Sequence, residues 1–285
     1  MYCFFFTYAN FWAINWEKNA FLIQKLVYFK FLLYFCSVKA QIMAIGNVTP
    51  DSFYAGSRLM SAPASSEDYR RTVAQWAEQA LADGADILDI GACSTRPGST
   101  PVSEEGEWER LEPALTVIRE VCPNAVLSVD TFRPEIARRA LEQFGHLIIN
   151  DISGGCDEMF TLMRAYRVPY IWTLCGDLSL PAKRTDLADI DLILDPGFGF
   201  IGSTEADYAC MHQMSSLQSF NRPILVGVSR KSMVYRPLGL TPETCLAATQ
   251  ALQFYALQQG ATILRVHDVP AAKQTIGIYE RLNNR

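Results

Sequence analysis

The feature that most constrains this chain is a unit that recurs from residue 40 onward. A short run rich in Ile, Val and Leu closes on polar residues or glycine, and an amphipathic stretch usually follows. The runs are 42–47, 86–91, 126–131, 147–153, 170–174, 192–197, 224–230 and 262–268. Continuous apolar runs of this length suit strands buried on both faces. Helical patterns lie between them. The stretch 66–83 opens on the capping sequence Ser66-Glu67-Asp68 and carries Val73, Trp76, Ala77 and Ala80 on one face. The stretch 103–121 opens on Ser103-Glu104-Glu105, and 134–144 starts with a proline in the first turn. Further patterns cover 205–217, 242–259 and 270–282.

Alternation of strand and helix demands parallel pairing through right-handed crossovers. Eight such strands close into an α/β fold of the TIM type, a (β/α)8 barrel. The rival is an open doubly wound sheet, whose common nucleotide-binding form carries Gly-x-Gly-x-x-Gly after its first strand. No such loop follows Asn47, so the barrel is expected, over residues 39–285. Its fifth βα unit is expected to be truncated. Only about fifteen residues separate the fifth run from the sixth, and they include Pro181. A parallel crossover needs a dozen or more residues and usually a helix, so the outer helix is expected to be missing there.

Residues 1–38 break the pattern and are expected to form an atypical aromatic-rich N-terminal extension with no role in the chemistry. Their basic residues, Lys18, Lys25 and Lys30, come too late for a signal peptide. The apolar stretch 21–35 is shorter than the roughly 20 residues of a membrane span and contains Gln24, Lys25 and Lys30. The formal net charge of −5 argues against a nucleic-acid partner, so any anion site must be built from a few placed cations. The eight cysteines are scattered with no Cys-x-x-Cys pair, a pattern of reduced thiols in a cytoplasmic protein.

Barrel enzymes carry their reactive groups at the C-terminal ends of the strands. Those ends present Asn47, Asp89 with Ser94-Thr95-Arg96, Asp130, Asn150-Asp151, Asp195, Ser229-Arg230-Lys231, and Arg265 with His267. One polar residue at a strand end is usually a cap, but nearly every strand here ends in one. So many polar groups converging on one mouth call for a polar ligand. Asp130, Asn150 and Asp195 supply acceptors and an amide that can read a flat ring bearing amino, N–H and oxo groups. Lys231, Arg265, His267 and Arg96 supply cationic donors suited to phosphate, near the strands where barrels often bind it. His146, His212 and Cys93 carry no comparable pattern.

The ordered blocks Ile45-Gly46-Asn47-Val48-Thr49-Pro50-Asp51-Ser52-Phe53, Asp89-Ile90-Gly91-Ala92-Cys93-Ser94-Thr95-Arg96-Pro97-Gly98 and Ser128-Val129-Asp130-Thr131 stand in the first half of the barrel region. Ile149-Asn150-Asp151-Ile152-Ser153-Gly154-Gly155, Leu194-Asp195-Pro196-Gly197-Phe198-Gly199-Phe200, Ser229-Arg230-Lys231-Ser232 and Arg265-Val266-His267-Asp268 continue the series. Together they resemble the dihydropteroate synthase family of pterin-binding barrels over most of residues 42–280. The resemblance implies that 4-aminobenzoate displaces diphosphate from (7,8-dihydropterin-6-yl)methyl diphosphate, giving 7,8-dihydropteroate in folate synthesis. It implies that Asp130, Asn150, Asp195 and Lys231 hold the pterin and that Asn47 meets Mg²⁺ on the diphosphate. Arg265 and His267, with Arg96, are implied to grip the diphosphate, and Val266 counts to the same substrate-binding set. Thr95, Phe200 and Ser232 are implied to line the 4-aminobenzoate site. Asp130, Asp51 and Lys231 are the implied catalytic groups, and a homodimer is the implied assembly.

The chain also departs from the family pattern. Thr173 stands for a family histidine at the end of strand five, Gly202 lies near a usual lysine, and Asp207 replaces a usual asparagine. The short fifth crossover motivates a second reading, a decayed paralogue that binds pterin without catalysis. A third, a folate-dependent methyltransferase of the same superfamily, fits the Ser229–Ser232 and Thr95–Gly98 blocks less well.

Overall fold

The structure, a computed structural model, describes residues 40–49, 66–93 and 102–283. The expected N-terminal extension lies outside the described residues, as do Asp51, Thr95 and Arg96. The first half of the barrel runs β1 (Gln41–Asn47), α1 (Glu67–Asp83), β2 (Ile87–Gly91), α2 (Glu104–Val121), β3 (Val126–Asp130), α3 (Pro134–Phe144) and β4 (Ile148–Asp151). Then follow α4 (Asp157–Tyr166), β5 (Tyr170–Thr173), α5 (Leu180–Lys183), β6 (Leu192–Asp195) and α6 (Thr204–Gln213). The chain closes with β7 (Leu225–Val226), α7 (Ser232–Tyr235), α8 (Leu246–Gln258), β8 (Ile263–Val266) and α9 (Val269–Asn283).

All eight strands pair in parallel in the order β6-β5-β4-β3-β2-β1-β8-β7. A parallel bridge between Leu194 and Ile224 brings β6 to the start of β7 and nearly closes the barrel. The sequence signals act as expected at the helix starts. Ser66 accepts the Tyr69 N–H at 3.1 Å, Ser103 accepts the Gly106 N–H at 3.1 Å, and Pro134 stands in the first turn of α3. The connection from β5 to β6 contains the four-residue α5 and a 3₁₀ turn, Thr185–Leu187. Two elements are shorter than their apolar patterns. β7 keeps Leu225–Val226, because the chain turns at Arg230, whose φ is +54°. α8 starts at Leu246 because Thr241 and Thr244 form a hydrogen-bonded turn ahead of it.

The twofold period of a strand divides every run into two sets. Ile42, Ala44, Leu88, Ile90, Leu127, Val129, Ile149, Tyr170, Trp172, Leu194, Leu264 and Val266 join the helices in one continuous apolar cluster. The alternate residues Met43, Ile87, Ile148, Ile171, Ile193, Leu225 and Ile263 are equally buried but stand outside that cluster. They fill the barrel interior. Two residues further along, the same inward set becomes Asp89, Asp130, Asn150, Thr173, Asp195 and Arg265. The interior is therefore apolar at its base and polar at its mouth.

A buried ion pair secures the mouth beside β3. Glu107 on α2 is fully buried; it accepts the Thr131 hydroxyl at 2.7 Å and Arg133 Nη1 at 2.6 Å. Arg133 Nη2 also donates to the Val102 carbonyl at 2.6 Å, tying the entry of α2 to the end of β3. Removing one member of such a pair strands the other charge in low dielectric. Arg133→Ala is therefore expected to lower unfolding stability by about 3 kcal/mol in urea titration. A loss below about 1 kcal/mol would contradict this role.

Candidate active site

Arg265 on β8 reaches across the interior to two carboxylates. Its Nε donates to Asp89 Oδ2 at 2.7 Å and its Nη2 to Asp130 Oδ2 at 2.5 Å. Asn150 Nδ2 donates to the same Asp89 oxygen at 3.1 Å. Strands 2, 3, 4 and 8 thus meet in one network, with Asp89 fully buried at its centre. Burial pushes the Asp130 carboxyl up to about 7 against the pull of Arg265, with Asp89 adding to the rise. Arg265 stays protonated: burial works against its charge, but Asp89 and Asp130 more than offset it.

A second centre forms where β6 meets the turn after β7. Asp195 accepts the Gly197 N–H at 2.8 Å, and its carboxyl is raised by burial, with Lys231 opposing. Lys231 Nζ donates to the Phe198 carbonyl at 2.5 Å and lies 4.9 Å from the centre of the Phe200 ring. Burial lowers the Lys231 ammonium to about 8, and Asp195 is its strongest counter-charge. Gly199 is needed in this turn. Its φ is +84°, and a Cβ there would meet Lys231 Cδ at 3.0 Å. Phe200 is 40% exposed, so its ring forms part of the rim. Ser232 opens α7 beside Lys231.

The inward set also carries unmet hydrogen-bonding capacity. Asp89 Oδ1, Ser128 Oγ, Asn150 Oδ1 and Thr173 Oγ1 are buried without a partner among the described residues. Each such group costs about 1–3 kcal/mol when left dry, so a ligand or water completes them. Carboxylate, amide and hydroxyl stand together in this inward set, a combination that can read a flat ring rich in N–H and oxo groups.

Several expected site residues take other places. His267 is expected as a cationic donor, but burial and then the Arg265 charge push its imidazole down to about 3. The ring is neutral near pH 7 and offers a neutral N–H or a lone pair. Val266 falls on the outward set and packs in the apolar cluster, so strand alternation turns its side chain away from the mouth. Arg230 leaves the mouth altogether: it forms a two-pronged pair with Asp268 at 2.8 Å on each arm and caps the Pro242 and Glu243 carbonyls. Asp151 accepts Ser153 N–H and hydroxyl and the Tyr170 hydroxyl, which fixes the loop after β4.

Ser128 joins the inward set without being one of the polar strand ends, while Asp89 stands among those ends with no ligand role and Thr173 is marked only as a departure from the family pattern. Their signal was available as the twofold spacing to Gly91, Ile171 and Asp130. Asn47 ends β1 half-buried at the same mouth. Among the described residues no three His, Cys, Asp or Glu side chains cluster as a metal cage. The oxygen of the Asn47 amide suits one position on Mg²⁺, a cation that commonly keeps water and substrate phosphate as its other ligands.

The comparisons agree with this fold. The family model described as pterin binding enzyme matches residues 43–177 and 178–267. A dihydropteroate synthase of Streptococcus pyogenes is 34% identical over 264 residues, spanning 85% of this chain and 96% of that protein. The solved dihydropteroate synthase of Xanthomonas albilineans with 4-aminobenzoic acid superposes with a TM-score of 0.73 at 32% identity, covering 87% of this chain and 94% of that one. That of Coxiella burnetii in complex with pteroic acid gives a TM-score of 0.74 at 28% identity, covering 87% and 95%. With the barrel, the polar mouth and these matches in agreement, the chain belongs to the pterin-binding enzymes, the family that contains the dihydropteroate synthases.

Proposed function

We propose that this chain is a dihydropteroate synthase, a transferase that joins 4-aminobenzoate to (7,8-dihydropterin-6-yl)methyl diphosphate and releases diphosphate. The observation that carries this reading is the inward polar set itself: Asp130 and Asn150 meet through Asp89 and Arg265, Asp195 and Lys231 stand within the same field, and Asp89 and Asn150 each keep a buried oxygen without a partner among the described residues. The relatives solved with 4-aminobenzoic acid and with pteroic acid support the same substrate and product classes.

In this reading Asp130, Asn150 and Asp195 accept and donate to the pterin edge, and Lys231 donates to its acceptor side while Phe198 anchors it. Arg265 keeps donors beyond the two used by Asp89 and Asp130. These, the neutral His267 and Arg96 hold the diphosphate. The bond between the pterin methylene and the diphosphate oxygen breaks, and the arylamine nitrogen bonds to the methylene and gives up a proton. Positive charge that builds on the pterin is met by Asp130 and by Asp51. The arylamine is neutral and needs positioning rather than activation; Thr95, Phe200 and Ser232 supply it. Asn47 would hold Mg²⁺ carried by the diphosphate, and the ion would add charge stabilisation on the leaving group. The barrel domain comprises residues 39–285, works as a homodimer and resides in the cytoplasm. No helix among the described residues is long and apolar enough to cross a membrane.

Purified protein supplied with Mg²⁺ and both substrates is expected to release diphosphate. Lys231→Ala and Asp130→Ala should each lower kcat/KM by about a hundredfold or more. Folded wild-type protein that binds the pterin but releases nothing would favour the decayed paralogue instead.

The acid and base requirements also set a pH profile. Asp130 must be a carboxylate, a form that accumulates as pH rises through about 7. Lys231 must be an ammonium, a form that is lost as pH rises through about 8. kcat/KM is therefore expected to peak in a narrow bell between those limbs. A rate still climbing well above pH 9 would exclude Lys231 as a cationic donor.

A further inference from the structure

The first turn of α6 lies outside the set of residues assigned to the reaction, yet it braces two of the loops that carry it. Asp207 is 3% exposed, and its Oδ1 accepts the Gly199 N–H at 2.8 Å. The adjacent Tyr208 hydroxyl donates to the Met233 carbonyl at 3.1 Å, two residues beyond Lys231. One helical turn thus grips the Gly197–Phe200 turn through one side chain and the start of α7 through the next. Gly199 is the point where those loops come together, because a Cβ there would lie only 3.0 Å from Lys231 Cδ. The residues on either side of it, Phe198 and Phe200, give Lys231 its carbonyl partner and its aromatic neighbour.

Asp207 is also a buried charge. Nothing at the Gly199 amide requires an anion, since any side-chain oxygen can accept that N–H. A carboxylate taken out of water is retained at a cost unless a cation faces it. The cation within its field is Lys231. Arg265 and His267 on and after β8, Asp130 on β3 and Asp195 on β6 complete the charged and titratable groups around that ammonium. On its own helix Asp207 faces Cys210, whose thiol it helps to raise.

We propose, on the reading of the reaction given above, that Asp207 is a positioning residue for Lys231. It sets the Gly197–Phe200 turn through the Gly199 N–H and stands as a second anion, beside Asp195, for the Lys231 ammonium. The two roles separate by substitution. Asp207→Asn keeps an oxygen for Gly199 and removes the charge; Asp207→Ala removes both.

The test is the pH dependence of kcat/KM for wild type, Asp207→Asn and Asp207→Ala. With one anion gone, the Lys231 ammonium is less favoured, so its pKa falls. The alkaline limb is expected about half a pH unit or more lower in both variants. Asp207→Ala should in addition raise KM for the pterin diphosphate about tenfold, while Asp207→Asn stays within about threefold of wild type near pH 7. A purely structural residue would change stability and leave the limb in place. An alkaline limb in Asp207→Asn that coincides with wild type overturns the proposal, whether or not Asp207→Ala folds. If wild type itself releases no diphosphate, the reading of the reaction fails, and calorimetry with (7,8-dihydropterin-6-yl)methyl diphosphate from pH 7 to 9 decides this proposal separately. Affinity that weakens at lower pH in Asp207→Asn than in wild type supports it, and superimposable curves overturn it.

Discussion

The mouth of this barrel depends on one guanidinium. Arg265 comes from the last strand and bonds the inward carboxylates of the second and third, Asp89 and Asp130, while Asn150 of the fourth joins through Asp89. Without that cation the Asp130 carboxyl would lose the charge that opposes its desolvation, and it would face the Asp89 carboxylate with no donor between them. With it, both side chains are held and aimed by hydrogen bonds, and the Arg265 charge draws the Asp130 carboxyl down against the rise that burial causes. A buried charge network of this kind adds little net stability and serves to fix geometry. Here the geometry it fixes is that of the mouth wall on strands 2, 3 and 4, the wall proposed to face the pterin.

Lys231 is the second cation of the mouth, in the turn after β7, the strand paired with the β8 that carries Arg265. Its ammonium is held by the Phe198 carbonyl, the Phe200 ring and the Asp195 charge rather than by a close ion pair. The two centres differ in consequence. Arg265 is locked between carboxylates and remains charged at all working pH values. Lys231 is poised near 8, so its charge responds to its neighbours. Burial does the same to Asp130 from the other direction. The site therefore joins one fixed cation to two groups whose charge is tuned by desolvation.

Much of this was legible in the sequence, because the apolar runs and helix caps that define the barrel act locally. Ser66, Ser103 and Pro134 mark helix starts by chemistry that needs no tertiary partner. The convergence of Asp130, Asn150, Asp195, Lys231 and Arg265 also followed from the strand ends once a barrel was assumed. What escaped was decided by direction and by partners distant in the chain. Val266 and Arg265 are adjacent, yet strand alternation sends one into the helix-facing core and the other into the mouth. Arg230 and Lys231 are adjacent cations, but the left-handed backbone at Arg230 and its clamp on Asp268 commit it to structure. Burial, with the Arg265 charge added to it, holds His267 neutral, and neither shows in the local sequence. Asp207 sits on a helix, so the sequence marks it only as a departure from the family pattern.

The most direct test of the central claim is a crystal structure of this protein grown with pteroic acid. The account predicts the pterin ring inside the barrel mouth, hydrogen-bonded to Asp130, Asn150 and Asp195 with Lys231 on its acceptor side, and its 4-aminobenzoate end beside Phe200 and Ser232. A pterin ring seated elsewhere, or a mouth that stays empty of ligand at saturating concentration, would contradict it.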